Sequence, residues 1–228
     1  MTLSTIIPAI LGFVPGLIWL AFFLQEDARH PEPKRLIFST FLLGGLVTFL
    51  VLPLQLMTKT FFEYLGYADT NTIAIFSLAG IEELLKFVIV FLWIGWRKDF
   101  DEPIDAMIYM ITAAIGFATV ENVATAIKAA NSFELLTLRF IGANLLHSLA
   151  SGIVGFYWAF GLKSGRLKRY LAIGLIAASL VHAIFNVLML NWGPGIRILI
   201  FLIFIAFFVL NDFELLKKRK INLIRSAS

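Results

Sequence analysis

Residues 72–96 read TIAIFSLAGIEELLKFVIVFLWIGW, a stretch in which charged side chains occur only near the centre. At 1.5 Å per residue, a helix of this length extends for about 37 Å, whereas the hydrocarbon core of a bilayer is about 30 Å thick. The stretch therefore predicts a transmembrane helix. Its charged residues, Glu82, Glu83 and Lys86, would then lie inside the membrane, where a charge is costly and needs a reason.

The rest of the chain has the same character. Of its 228 residues, 60% are apolar and only 15% are charged, values outside the usual range for a soluble domain. Because backbone groups in lipid must be satisfied within helices, we predict an all-α integral membrane protein, a bundle of about seven transmembrane helices in one polytopic domain over residues 1–228. The predicted spans are Ser4–Leu24, Arg35–Met57, Thr72–Trp96, Ile104–Ile127, Leu135–Gly161, Tyr170–Leu190 and Gly195–Leu210.

Basic residues are distributed unevenly between the loops. If the spans alternate in direction, fourteen Lys and Arg fall on one side and only Lys59, Lys128 and Arg197 fall on the other. The side rich in Lys and Arg is normally cytoplasmic. We therefore predict a multi-pass protein of the cell membrane with its N-terminus outside and its C-terminus in the cytoplasm. The net charge of +4 then reflects contact with membrane lipid, not with nucleic acid.

Polar groups recur inside the third to sixth spans. They are Glu82, Glu83, Lys86, Glu121, Asn122, Asn144, His147, His182 and Asn186. At 1.5 Å per residue, the carboxylates and imidazoles lie roughly 9–18 Å below the outer ends of their spans, although neighbouring helices run in opposite directions. This convergence on one level of the membrane predicts a site in its outer half.

The spacing of these groups suggests what they do. Lys86 lies i,i+4 from Glu82 and i,i+3 from Glu83, so we expect a structural ion pair that neutralises one carboxylate. The other carboxylate is then available as a general base, and imidazoles with carboxylates can also hold a divalent metal. The alternative is that such groups only bond neighbouring helices, and we assign Asn122 and Asn144 to that class. Arg139, near the outer end of its span, is expected to reach the membrane interface.

Several chemistries are excluded by what the sequence lacks. The chain contains no Cys, which excludes thiol nucleophiles and cysteine-containing metal sites. It has no His-Glu-x-x-His zinc motif and no Gly-x-Ser-Gly nucleophile within a span. It also has no pair of intramembrane aspartates, since every Asp lies at or beyond the end of a span. What remains is a Glu/His site that is able to activate water.

The ordered motifs carry a family resemblance. Glu82-Glu83-Leu-Leu-Lys86 is an E-E-x-x-K motif, Phe117 to Glu121 is F-x-x-x-E, and His182 to Asn186 is H-x-x-x-N, with His147 on the span between. Together, within a motif-bearing core of residues 72–190, they resemble the PrsW family of intramembrane proteases. That family is related to the CAAX-prenyl endopeptidases and to the wider glutamate and metallo membrane-protease superfamily.

The resemblance implies a proteolytic function. The substrate would be a single-span, membrane-anchored protein such as an anti-sigma factor, cut near the extracytoplasmic side during stress signalling. Glu82 would be the general base that activates water, and Glu83 its partner, held by Lys86. His182 and Asn186 would polarise the scissile carbonyl and stabilise the oxyanion.

A metal-dependent mechanism stays open beside this one. The CAAX-type relatives carry a His where this chain has Glu121, so the two kinds of site differ at that position. Glu121 with His147 and His182 is therefore the predicted metal set, for a divalent metal such as zinc, if the enzyme needs one.

Two functions without proteolysis also remain open. The same superfamily includes the scaffold subunit of γ-secretase, a seven-helix protein that retains polar groups and cuts nothing, and here the cluster would only join helices. A proton-coupled carrier would use buried Glu and His as a relay, but the sequence has no internal repeat of the transporter kind. Retention of all four motif positions favours the protease.

Overall fold

The computed structural model describes residues 3–68, 70–129 and 131–217, with side chains from residue 6 onward. Within these ranges the chain is helical and contains no strand. Its helices are α1 (Leu3–Leu24), α2 (Lys34–Tyr64), α3 (Thr72–Ile94), α4 (Asp105–Lys128), α5 (Ser132–Arg139), α6 (Leu145–Lys163), α7 (Leu167–Trp192) and α8 (Ile196–Lys217). A 3₁₀ turn, Gln25–Asp27, follows α1, and a π-helical turn, Phe140–Asn144, joins α5 to α6.

The helices account for the predicted membrane spans. Six segments are long and apolar enough to cross a membrane: α1, α2, α4, the α5–α6 pair, α7 and α8. α3 has 23 residues and packs against α2 and α7, but it carries three charged side chains at its centre. The prediction of an all-helical, multi-pass membrane protein is confirmed. The orientation of the termini and the single-domain boundary stay predictions, and four of the counted basic residues, Lys218, Arg219, Lys220 and Arg225, lie outside the described residues.

α4 is the central helix of the bundle. Every side chain from Asp105 to Thr119 is buried, and α1, α2 and α6 pack around it. Small residues allow this close packing. A Cβ on Gly44 would overlap the carbonyl group of Ala113, and a Cβ on Gly155 would lie 2.6 Å from the carbonyl oxygen of Ala106.

Three spans differ clearly from their predicted bounds. One of them is α8, which continues past the predicted Leu210 to Lys217. α2 has 31 residues, about 46 Å at 1.5 Å per residue, so it exceeds the thickness of the hydrocarbon core. The fifth span is not one uninterrupted helix, since the π-helical turn divides it. The Trp19 indole Nε1 donates to the carbonyl oxygen of Phe140 in that turn at 2.7 Å, which satisfies an acceptor that the irregular turn exposes.

The start of α3 is well defined by its capping residue. The Asn71 side chain accepts hydrogen bonds from the backbone N–H groups of Ile73, at 2.9 Å, and of Ala74, at 3.4 Å. This cap satisfies donors that have no partner within the helix. It fixes where the helix begins, and so which turn of α3 carries the two glutamates.

Candidate functional site

Five helices bring polar side chains together near the middle of the bundle. We call this group the Glu/His cluster, and its members are Glu82, Glu83, Lys86, Glu121, Arg139, His147 and His182. α3 supplies the two adjacent glutamates and the lysine, α4 supplies Glu121, and α6 and α7 supply one histidine each. Arg139 ends α5.

Glu83 is the structural centre of the cluster. Its side chain is completely buried, and its Oε1 lies 2.8 Å from Lys86 Nζ. The His182 ring lies 3.1 Å from the same oxygen through Nδ1, and the Ser151 hydroxyl donates to Oε2 at 2.7 Å. One carboxylate thus connects α3, α6 and α7, with both of its oxygens in hydrogen bonds.

Lys86 determines the tautomer of His147. Its ammonium donates to His147 Nδ1 at 3.0 Å and lies 4.4 Å from the centre of the Phe117 ring. An ammonium group has no acceptor, so Nδ1 must be the unprotonated nitrogen of His147. Nε2 then carries the hydrogen and donates it to Glu121 Oε2 at 3.1 Å. His147 is therefore a neutral imidazole that links a lysine to a glutamate.

Arg139 forms polar contacts within the Glu/His cluster that the sequence analysis did not predict. Its Nη2 lies 3.0 Å from Glu121 Oε2, and its Nε donates to Asn122 Oδ1 at 2.5 Å. A carboxylate and an amide within reach satisfy the guanidinium better than the longer path to water. Asn122 in turn donates to Asn144 Oδ1 at 2.9 Å, so the structural role predicted for these two asparagines is confirmed.

Glu82 differs from Glu83 in its bonding. Gln55 of α2 donates to Glu82 Oε1 at 2.7 Å. Oε2 is buried and has no hydrogen-bond partner among the residues that the structure describes. This oxygen lies 3.8 Å from His182 Nε2 and 3.8 Å from His147 Nδ1, too far for a direct hydrogen bond. The spacing suits a third atom held between them.

His182 faces the same space with a free lone pair. Because its Nδ1 donates to Glu83, its Nε2 is unprotonated in the neutral ring and is directed to the side of Glu82 Oε2. A histidine that donates one N–H to a carboxylate and offers its other nitrogen is the usual arrangement of a metal ligand. Asn186 lies one turn further along α7, half-buried, and its side chain has no hydrogen bond within the described part of the chain.

The charges of the cluster do not cancel. With neutral histidines, three carboxylates and two cations leave a net charge of −1. Glu83 has Lys86, and Glu121 has Arg139, whereas Lys86 Nζ is 3.7 Å from Glu82 and is already engaged with Glu83. The uncompensated carboxylate is Glu82, which suits a general base or a ligand for a cation.

The donor atoms also fit a divalent metal. One ligand atom each from Glu82, Glu83, His147 and His182 lies within 4.8 Å of the others. Glu82 Oε2 and His182 Nε2 have no competing hydrogen bond among the described residues, and His147 Nδ1 is available if it releases Lys86. Two histidines and one carboxylate form a common catalytic zinc site.

Glu121 stands apart from this group of donors. Its Oε2 contacts both Arg139 and His147, and it is absent from the atoms that lie within 4.8 Å of one another. The metal set of Glu121, His147 and His182 stays a prediction, and the geometry favours Glu82 in the place of Glu121.

Two contacts were missed by the sequence analysis. Gln55 is the one long amide side chain in the predicted second span, and Ser151 lies i,i+4 from His147 on the same face of α6. A polar residue inside an apolar span is itself a signal. Extending the search for polar residues to the second span, and to the next turn of α6, would have found both.

Comparison with known proteins identifies the relatives of this chain. Residues 32–211 match the PrsW family of intramembrane metalloproteases. The chain is 30% identical to Protease PrsW of Geobacillus kaustophilus over 188 residues, which are 80% of each protein. It is 26% identical to Protease PrsW of Bacillus subtilis over 218 residues, 94% of this chain and 96% of that protein. No solved structure matches the chain.

Proposed function

This chain belongs to the PrsW family of intramembrane metalloproteases and is an intramembrane protease; we propose that it cleaves a single-span membrane protein with water activated at Glu82. Family membership favours this function over a scaffold or a proton-coupled carrier. The roles of the individual residues are part of the same proposal.

The observation that carries the proposal is the free oxygen of Glu82. A buried carboxylate oxygen without a donor is costly, yet Oε2 lies in a cluster where every other carboxylate has a cation. Opposite it, at 3.8 Å, lies the free Nε2 of His182. A water molecule between these two atoms would meet an acceptor on each side, and Glu82 would take its proton as the water oxygen adds to the scissile carbonyl.

The neighbouring residues have positioning roles in this proposal. Glu83 fixes the ring of His182 through Nδ1, and Lys86 neutralises Glu83 so that the negative charge remains on Glu82. The proton taken by Glu82 then passes to the leaving amine. Asn186, one turn from His182 and without a hydrogen bond of its own, is available to stabilise the oxyanion.

The metal-dependent form of the mechanism uses the same residues. We propose that Glu82, His182 and His147 would hold a divalent metal such as zinc. When bound, such an ion lowers the pKa of water and polarises a carbonyl group. Glu83 would then orient His182 from behind, as second carboxylates commonly do in metal sites, and Lys86 would remain paired with Glu83 alone.

The proposed substrate is a single-span protein cut near the extracytoplasmic side, with an anti-sigma factor as the first candidate. At 1.5 Å per residue, Glu82 and His182 lie about 15 Å from the ends of α3 and α7 that the charge distribution assigns to the outside. The Glu121 side chain is 31% exposed, the largest exposed fraction among the carboxylates of the cluster. We propose that substrate approaches from the side of Glu121.

The proposal is tested by cleavage in liposomes. The purified full-length protein is reconstituted with a library of single-span reporters, and products are identified by mass spectrometry. We expect cleavage at bonds in the outer half of the reporter helix. Cleavage only in water-soluble loops, or no cleavage of any membrane reporter, would overturn the proposed substrate class.

A chelator separates the two mechanisms. Inhibition by a chelator that zinc reverses supports the metal-dependent form, whereas a rate unchanged after exhaustive chelation supports the metal-free form. His30→Ala serves as the control for loss of a histidine, because His30 contacts Glu102 outside the Glu/His cluster.

A further inference from the structure

Three carboxylates meet at the end of the bundle where α1 ends and α2 and α4 begin. Asp27 ends the 3₁₀ turn after α1, Glu32 lies just before α2, and Asp105 is the first residue of α4. One oxygen of each lies within 4.8 Å of the others. We call these residues the acidic cluster. They come from three separate segments, and the proposed proteolytic mechanism does not use them.

Asp27 is the member of the acidic cluster with an unsatisfied oxygen. Its residue is only 6% exposed, and its Oδ2 is buried without a hydrogen-bond partner among the residues that the structure describes. An isolated buried carboxylate oxygen carries a large desolvation cost. A bound cation would offset that cost.

The other two carboxyl groups are held in place by hydrogen bonds. Asp105 Oδ2 accepts hydrogen bonds from the backbone N–H groups of Asp101, at 2.9 Å, and Glu102, at 2.8 Å. The Tyr109 hydroxyl donates to Glu32 Oε2. Glu32 and Asp105 also hydrogen-bond each other, which requires a proton on one of the two carboxyl groups. A bound cation would take the place of that proton.

The basic side chains nearby are engaged elsewhere. His30 lies 2.8 Å from Glu102, and Lys217 lies 2.6 Å from Glu26. Over residues 3–68, 70–129 and 131–217, no Lys, Arg or His forms an ion pair with a member of the acidic cluster. Burial accordingly raises the pKa of the Glu32 carboxyl above its usual range, and the charges of Asp101 and Asp99 add to the effect.

We propose that Asp27, Glu32 and Asp105 bind a hard divalent cation, such as Ca²⁺ or Mg²⁺. Both ions prefer oxygen ligands, and Ca²⁺ binds them at 2.3–2.6 Å, so that two ligands on opposite sides of it are about 4.8 Å apart. The cluster offers oxygens and no nitrogen or sulfur, which is unsuited to zinc. The bound cation would tie the connection between α1 and α2 to the start of α4.

A cavity gives an ion access to this position. It has a volume of about 670 Å³, lies between α1 and α2, and includes Asp27, Glu32 and Lys34 in its lining. Its remaining lining is largely apolar, so the carboxylates mark one end of it. Two of the three carboxylates therefore border open space beside the connection between the helices.

Equilibrium dialysis of the full-length protein in detergent tests the proposal. The protein carries His182→Ala, so that binding at the Glu/His cluster is weakened, and is stripped with chelator before Ca²⁺ or Mg²⁺ is added. We expect one equivalent of cation bound, and a Tm raised by several degrees at a hundredfold excess over Kd. Asp27→Asn should abolish both effects. Glu32→Gln should do the same, and it keeps the test decisive if Asp27→Asn fails to fold.

The matched control is Asp101→Asn, which makes the same change of charge at an exposed neighbour. It should bind the cation with a Kd within about threefold of the parent, because Asp101 offers the acidic cluster its backbone N–H and an exposed charge but no ligand oxygen. Absence of stoichiometric binding in the parent would overturn the proposal. Equal loss of binding in the Asp101→Asn and Asp27→Asn variants would also overturn it, since that result indicates diffuse surface charge and not a site.

Discussion

The Glu/His cluster and the acidic cluster each gather three carboxylates, but only the first brings its own cations. Lys86 and Arg139 neutralise Glu83 and Glu121, whereas no described Lys, Arg or His pairs with Asp27, Glu32 or Asp105. A cluster with internal cations keeps its geometry without help and can leave one carboxylate for chemistry. A cluster made only of acids must take up a proton or a cation from solution.

The largest difference that we expect between the two clusters is in the cleavage activity of their histidine variants. His182→Ala removes both the Nδ1 contact with Glu83 and the Nε2 that faces Glu82. We expect the cleavage rate to fall by about 10²–10⁴-fold, the usual contribution of a positioned acid or base. His30→Ala, near the acidic cluster, should leave the rate within about threefold of the wild type in the same liposome assay.

Equal losses in the two histidine variants would break the distinction between the clusters. Folding is checked by size-exclusion chromatography and by tryptophan fluorescence. A well-folded His182→Ala protein with the wild-type rate would remove His182 from the mechanism.

Removal of the buried ammonium group of Lys86 should lower both the stability and the activity of the protein. Lys86→Met leaves Glu83 charged and unpaired at a site with no exposure, and breaking a buried ion pair in this way costs about 3–5 kcal/mol. Lys34→Met, at an exposed lysine beside the acidic cluster, should change stability by less than about 0.5 kcal/mol. Denaturant unfolding in detergent measures both.

A double variant tests whether the cost comes from the stranded charge. Adding Glu83→Gln to Lys86→Met removes the unpaired carboxylate, so the double variant should be more stable than Lys86→Met alone. If the two costs simply add, then Lys86 stabilises the bundle by packing, and the charge balance described for the Glu/His cluster is wrong.

A smaller effect is expected from the hydroxyl group that contacts Glu83. Ser151→Ala removes the donor to a fully buried carboxylate oxygen, which should cost about 1–3 kcal/mol. Ser148→Ala is the matched control, because its equally buried hydroxyl donates only to the Asn144 carbonyl, in the π-helical turn just before α6, at 2.8 Å. We expect that control to cost less than about 1 kcal/mol, and equal costs would exclude a special role for Ser151.

The sequence predicted the fold well because its strongest signals are local. Runs of about 20 apolar residues define membrane helices by length alone, so all seven spans correspond to helices. The break in the fifth span was not predictable in the same way. A π-helical turn has no apolar period of its own, and the contact that satisfies its exposed carbonyl comes from Trp19, 121 positions away from Phe140.

The members of the site were predictable, but their bonding was not. Depth in the membrane and i,i+4 spacing brought Glu82, Glu121, His147 and His182 to one level. Spacing within α3 could not decide which glutamate Lys86 neutralises, because both lie within reach of one lysine. That choice depends on Gln55 and Ser151 from other helices, whose contacts leave Glu82 with the free oxygen.

The central claim is that Glu82 is the base, and one substitution tests it directly. Glu82→Gln keeps the size of the side chain and its contact with Gln55 but removes the ionisable group, and a neutral amide is cheaper to bury than a carboxylate. The measurement is the rate of cleavage of a single-span reporter in liposomes, at equal amounts of folded protein. The account predicts a rate at least about 100-fold below the wild type, whereas cleavage by Glu82→Gln at the wild-type rate would contradict it.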